Sequence, residues 1–203
     1  MLHPSTRLTW VGDEVGYGVV ATEFIPRGTI TWVLDPLDRV LSPTDTEELA
    51  GPLTPVLERY SYVSGRGRRL LLWDFGRYMN HSCAANVLSP GADLEIAIRD
   101  IQPGEELTCD YGELNIERPL ECLCGSSACR GTIGREDFEL MTARWDHNLR
   151  LAFAAASGVR QPLLGFVEDK DRLHGWMWDP GSVPSAALNQ FRGIDAVARA
   201  FIH

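Results

Sequence analysis

The chain has 203 residues, 44% of them hydrophobic, and a formal net charge of −9, which suits one domain, or one with a small appendage, whose core needs no covalent staples. Its apolar runs, such as Leu70 to Trp73 and Leu151 to Ala156, fall far short of the roughly 20 residues that cross a bilayer. Its one basic cluster, Arg66 with Arg68 and Arg69, is too small to track a phosphate backbone, so a membrane span and direct nucleic-acid binding are both excluded, and the acidic surface serves solubility or steers a basic partner.

In chain order, Met1-Leu2-His3-Pro4 carries no leader pattern, and five cysteines are an odd number; together they predict a reducing, cytoplasmic setting and metal use over a disulfide framework. Short strands are expected at Tyr17 to Thr22, Thr29 to Leu34, Arg69 to Asp74, Leu94 to Arg99 and Leu107 to Tyr111, where β-branched and alternating residues gather. Ile25-Pro26-Arg27-Gly28 and Ile101-Gln102-Pro103-Gly104 read as turns, with proline setting φ and glycine supplying the unusual backbone angle. Between Ser42 and Tyr60 the pattern changes. Ser42-Pro43 followed by acids at Asp45 to Leu49 predicts a capped helix start, with Pro52 and Pro55 breaking it.

From Glu136 the period turns helical, with Phe138, Met141, Trp145, Leu149 and Ala152 at three- and four-residue steps and Ser157-Gly158 ending the run. Trp176-Met177-Trp178-Asp179-Pro180-Gly181 reads as a turn-rich linker, and Leu188, Phe191, Ile194, Val197, Ala198 and Phe201 form a second amphipathic run. This tail is expected to pack on the core or on a second copy of the chain. Lys170 stands alone against eighteen arginines, a bias that points to a GC-rich, prokaryotic coding background.

The densest chemistry lies in three stretches. They are Arg77-Tyr78-Met79-Asn80-His81-Ser82-Cys83, Glu106-Leu107-Thr108-Cys109-Asp110-Tyr111-Gly112, and Cys122-x-Cys124-x4-Cys129. Three cysteines at that spacing suit a tetrahedral thiolate site that needs one further ligand, and Cys83 is the natural fourth. Such a site has no open coordination position and organises structure. Cys109 is left as a buried non-ligand. Gly16-Tyr17-Gly18 alone is a weak signal, since glycines flank aromatics in many turns.

The order and content of these motifs resemble the SET-domain protein lysine methyltransferases over roughly residues 8 to 133. The resemblance implies a mainly β fold with α additions, built of several short sheets with a pseudoknot. It divides the chain into a SET domain at 8–115, a zinc-bound post-SET segment at 116–133 and a helical C-terminal extension at 134–203. It implies one structural zinc on Cys83, Cys122, Cys124 and Cys129, and S-adenosylmethionine held by Gly16, Tyr17, Gly18, Tyr78, Asn80, His81, Tyr111 and Leu123. Tyr111 would be the catalytic hydroxyl, and Tyr60, or failing that Tyr62, the second phenol of a lysine channel. Asp110 would hold its loop. The implied activity is methyl transfer to a lysine amine in a basic protein segment. A free lysine must first lose its proton, at a cost of roughly 4.6 kcal/mol at pH 7, and an aromatic channel assists by desolvation.

Three positions depart from the family pattern: Val15, where a basic residue is common, Ala85, where proline is usual, and Cys109, where Phe or Tyr often stands. A small residue two before the tyrosine leaves room for methylation beyond the first methyl. The alternative reading is a zinc-stabilised, non-catalytic interaction module on the same scaffold, and a homodimer through the C-terminal helices is the further partner option. A cysteine hydrolase using His81 and Cys83 is set aside, because the two side chains are expected to diverge and a metal-bound thiolate is a poor nucleophile.

Overall fold

The computed structural model describes residues 1–91 and 93–193. Two strands open the chain, β1 (Thr6–Gly12) and β2 (Gly16–Ala21), followed by β3 (Ile30–Val33) and β4 (Arg39–Leu41). Helices α1 (Pro43–Glu48) and α2 (Thr54–Tyr60) lead to β5 (Ser61–Val63) and β6 (Arg69–Leu71). Strands β7 (Asn80–His81), β8 (Val87–Leu88), β9 (Leu94–Ala97) and β10 (Glu106–Cys109) follow, then the pair β11 (Leu120–Glu121) and β12 (Thr132–Ile133), then helices α3 (Asp137–Ala156) and α4 (Lys170–Trp178).

These strands form small sheets in the orders β1-β2-β10-β7, β3-β9-β8 and β4-β6-β5, plus the β11-β12 hairpin. Each expected strand is present, with its bounds moved by one to three residues; β1, β4, β5, β7, β8, β11 and β12 are additions. The two Pro-Gly turns lie against each other: Ile25 and Ile101 exchange backbone hydrogen bonds of 3.0 and 2.8 Å, and Gly28 and Gly104 hold φ of +88° and +84°. Gly28 also sits against α3, where a Cβ would come within 2.7 Å of the Ala156 nitrogen.

Ser42 caps α1 as expected, accepting from the Asp45 N–H while the Asp45 carboxylate accepts from the Ser42 N–H. Pro55 departs from expectation. It begins α2 rather than breaking a helix, because the first turn has no intrahelical use for an N–H. The 176–181 linker is also corrected. Trp176 to Trp178 close α4, whose start is capped by the Asp169 carboxylate accepting from the Arg172 N–H at 2.9 Å. In the second amphipathic run, Leu188 is 73% exposed on a short 3-10 turn at Ala186–Asn189, Phe191 is half-buried, and Ile194, Val197, Ala198 and Phe201 lie outside the described residues.

Two apolar layers share strand β9. Leu94 and Ile96 face a core with Phe138, Trp145, Leu149, Phe153 and Trp176, so α3 and α4 cover that side of the sheet. Ala97 faces the other layer, with Trp32, Leu72, Met79 and Cys109. Full burial of a side chain the size of Phe153, which is 0% exposed, contributes about 1.5–3 kcal/mol. No helix among the described residues is long and apolar enough to cross a membrane.

Candidate active site and metal centre

Two distant motifs are brought together by strand pairing. β7 runs parallel to β10, with Asn80 opposite Thr108 and His81 opposite Cys109. Asn86, fully buried, locks the crossing: its amide donates to the Glu106 carbonyl at 2.7 Å and its carbonyl accepts from the Thr108 N–H at 2.8 Å. The 80–86 segment is thereby threaded beside the strand that carries Tyr111. Asn80 reaches the other way, donating to the Tyr17 carbonyl at 3.0 Å and the Glu106 carboxylate at 2.7 Å. Gly16, Tyr17, Gly18 and Asn80 thus meet on one ledge, with the Tyr78 ring 6.2 Å from that of Tyr17. A Cβ on Gly18 would fall 2.3 Å from the Glu106 carboxylate, so the absence of a side chain lets the Glu106 and Asn80 side chains lie against the backbone here.

Tyr111 follows β10 on a turn that Asp110 caps by accepting from the Gly112 N–H at 3.0 Å. The Tyr111 backbone N–H donates to Nδ1 of His81 at 3.1 Å, and its hydroxyl donates to the Met79 carbonyl at 2.9 Å. Burial, then the nearby Cys109, Glu106 and Glu95, push the phenol above its ordinary range. It is a neutral hydrogen-bonding group and not a phenolate base.

Beside it lies a cleft of about 350 Å³ whose walls include Tyr60, Tyr62, Met79, Cys109, Tyr111 and Glu95. Tyr60 and Tyr62 both border it. Tyr62 packs against the apolar layer of Leu72 and Met79, and burial raises its phenol well above the ordinary range. Tyr60 stacks edge-on with Tyr78 at 5.5 Å. Leu123 is 73% exposed and is not part of this wall.

The sulfurs also converge. Side chains of His81, Cys83, Cys122 and Cys124 bring their ligand atoms within 4.8 Å of one another; Cys129, expected as one of the four ligands, lies outside that group, where His81 stands instead, and its thiol donates to the Cys122 carbonyl at 3.4 Å. The Cys83 and Cys122 sulfurs are 3.7 Å apart, matching the about 3.8 Å edge of a tetrahedron with zinc–sulfur bonds near 2.3 Å. Backbone N–H groups donate to the sulfurs: Cys83 to Cys124 at 3.5 Å, Arg130 to Cys83 at 3.3 Å and Gly131 to Cys129 at 3.4 Å. Burial opposes ionisation of Cys124, but the N–H groups of Cys83 and Ser126 and the neighbouring sulfurs bring its thiol down to about 7. The donor set fits a soft divalent metal.

His81 and Cys83 do not diverge; Nε2 lies 3.3 Å from the Cys83 sulfur. Residues two apart on an extended chain share a face, which corrects the sequence expectation. Because Nδ1 accepts from Tyr111, the neutral ring carries its proton on Nε2 and donates it to that sulfur. Burial holds the imidazole below its ordinary pKa.

Sequence reasoning missed Arg130. Its guanidinium binds the buried Asp110 at 2.8 and 2.5 Å and approaches Asp137 at 3.1 Å, while the Trp145 indole N–H donates to Asp110 at 3.0 Å. Burial raises the Asp110 carboxyl, but Arg130, the Gly112 N–H and Trp145 outweigh it and hold it below its usual range. Glu95 was missed as well. Strand alternation at Leu94-Glu95-Ile96 points such a residue towards water, so the sequence held no signal for it.

Residues 16–112 match the family model of the SET domain. The fold is that of a SET domain. Among curated proteins, the chain is 29% identical over 137 residues to "Histone-lysine N-methyltransferase Set2" of Drosophila melanogaster, covering 61% of this chain and 6% of that protein. It is 40% identical over 114 residues to "Histone-lysine N-methyltransferase TRX1" of Oryza sativa subsp. japonica, covering 46% and 11%. With "Histone-lysine N-methyltransferase ASHR3" of Arabidopsis thaliana it shares 31% over 86 residues, covering 38% and 17%. The chain therefore spans less than a fifth of each of these relatives. The methyltransferase domain of human SETMAR aligns with a TM-score of 0.47 at 22% identity, over 66% of this chain and 58% of that one. The Gly16 to Gly18 ledge opens the matched region and Tyr111-Gly112 closes it.

Proposed function

We propose that this protein is an S-adenosylmethionine-dependent methyltransferase acting on a lysine amine in a basic protein segment, with one structural zinc. The observation that carries this reading is the position of Tyr111, whose backbone is tied to His81 and which lines a cleft shared with Tyr60 and Tyr62. The names of the SET-domain relatives point the same way.

Gly16, Tyr17, Gly18, Tyr78, Asn80, His81, Tyr111 and Leu123 would hold the cofactor, with Asn80 already seated against the glycine ledge through the Tyr17 carbonyl. When bound, S-adenosylmethionine supplies an electrophilic methyl group on a sulfonium. The chain's own residues prepare the amine. The aromatic walls strip water from it and lower its pKa, offsetting part of the roughly 4.6 kcal/mol that deprotonation costs at pH 7. The Tyr111 hydroxyl, already donating to Met79, keeps its lone pairs for an amine N–H, which fixes the direction of the nitrogen lone pair. Cys109 leaves the wall wider than an aromatic would, and methylation past the first step is the expected product pattern.

Cys83, Cys122, Cys124 and Cys129 would hold the zinc, with His81 donating to the Cys83 thiolate. A net charge of −9 favours a basic protein as substrate. The test is transfer of radiolabelled methyl to purified core histones. Wild type should label them and Tyr111→Phe should lose at least about 100-fold in kcat with cofactor affinity retained, in the range of removing one positioned transition-state hydrogen-bonding group. Wild-type protein that binds cofactor tightly yet labels no basic protein would refute the enzyme reading and leave a binding module.

A further inference from the structure

Strand β9 places a carboxylate where its pattern calls for an apolar residue. Leu94 and Ile96 enter the helical core, while Glu95 alternates to the opposite face, that of Ala97, Leu72, Met79 and Cys109. There it joins the cleft wall beside Tyr62 and Tyr111. Its Oε2 is buried with no hydrogen-bond partner among the described residues. Glu113, the other buried carboxylate nearby, differs: it accepts from the Ser89 N–H at 3.2 and 3.4 Å. Burying an unpaired carboxylate oxygen costs free energy even in a half-buried side chain, and a leucine would fill the same layer at no such cost. The titratable groups that act on Glu95 or are acted on by it are Tyr62, Cys109, Tyr111, Glu113, Asp74 and one cation, the N-terminal ammonium; Arg59, Arg69, Arg77 and Arg118 line the same cleft, and none of these cations hydrogen-bonds to the Glu95 Oε2.

Building on the methyltransferase reading, we infer that Glu95 receives the ammonium group of the incoming lysine in the Tyr111 cleft and takes its proton. One N–H bond breaks and one O–H bond forms on Oε2, leaving a neutral amine and a neutral carboxylic acid, the pair that a dry wall favours over two charges. The proton later returns to water. Burial, with Asp74 adding to it, outweighs the N-terminal ammonium and raises the Glu95 carboxyl to about 7, so it can accept a proton near neutrality, when lysine in water is almost wholly charged. The cleft should therefore prefer a cationic amine over an uncharged isostere.

Two measurements test this on the full chain with Glu95→Gln, which keeps the side chain's shape; an unchanged melting transition at pH 5.5 verifies folding. First, n-butylammonium chloride and n-butanol are titrated into each protein and followed by NMR. Glu95→Gln should weaken butylammonium binding at least tenfold and leave butanol unchanged; equal butylammonium affinity in both proteins overturns the inference. Second, methyl transfer to core histones is profiled against pH. Wild-type kcat/KM should level off above about pH 7, whereas the variant should keep rising towards the pKa of free lysine; parallel profiles overturn it. Glu95-dependent butylammonium binding without methyl transfer by wild type would sink the proposed function and leave the amine site standing. Transfer unaffected by Glu95→Gln would do the reverse.

Discussion

Arg130, from the cysteine-rich tail, grips Asp110, the neighbour of Tyr111, with two guanidinium nitrogens at 2.8 and 2.5 Å. Its own backbone N–H donates to the Cys83 sulfur, so one residue ties the metal lobe to the turn that presents the phenol. Arg130→Met should leave Asp110 buried without its cation and cost about 3–5 kcal/mol. Adding Asp110→Asn should restore part of that loss. Denaturant unfolding of the two variants checks both statements; a single-variant loss under 1 kcal/mol would remove Arg130 from this role.

Purified protein is expected to carry one zinc per chain. Cys83→Ser, Cys122→Ser, Cys124→Ser and Cys129→Ser should each abolish retention, because three thiolates without a fourth ligand hold the ion far more weakly. His81→Gln should keep the metal, since its ring donates to a thiolate through Nε2. Elemental analysis after dialysis against a chelator decides this. Metal lost from the His81 variant and kept by Cys129→Ser would exchange the two residues' roles.

How much of this was legible in the sequence depends on whether the signal was local. The Cys-x-Cys spacing, the Asn80-His81 pair and Tyr111 could be read because their chemistry lies in adjacent letters, and the Pro-Gly turns because φ is a property of single residues. Arg130 pairing with Asp110, or Trp145 donating to it, leaves no period in the chain. The two hydrogen bonds by which Asn86 locks the crossing are likewise invisible in the letters around it. Trp176 to Trp178 were misassigned because the Asp179-Pro180-Gly181 turn signal was spread backwards over the end of a helix. A charged residue between Leu94 and Ile96 would ordinarily mean a face turned to water. Here it meant a second buried layer.

The raised Glu95 carboxyl makes a pH prediction with a definite sign. The folded chain binds that proton more tightly than the unfolded chain, so this contribution to stability is complete below the unfolded value and disappears as pH rises through about 7. Glu95→Gln should match wild type at pH 5 and exceed it at pH 8 by on the order of 1–3 kcal/mol. Paired thermal melts at the two pH values supply the comparison, and a variant less stable than wild type at pH 8 would show that the carboxylate has a partner.

Gly28→Ala should be among the most damaging single-methyl changes available. At φ +88° an alanine is strained, and its Cβ would meet the Ala156 nitrogen and Ala152 oxygen of α3 at 2.7 and 2.8 Å. Strain and overpacking together amount to about 2–5 kcal/mol. A drop in melting temperature of at least about 4 °C is expected for a chain of this size, and an unshifted transition would mean that α3 does not dock there.

Strand β9 has a further consequence. The residues that anchor the helices and the one that faces the amine alternate along four positions of one strand, and a close-packed interior passes displacement on instead of absorbing it. The selectivity of the cleft is thus adjustable from behind: a change in girth at Phe153 or Trp176 reaches Glu95 through a rigid partition, although neither ring touches anything the enzyme would bind.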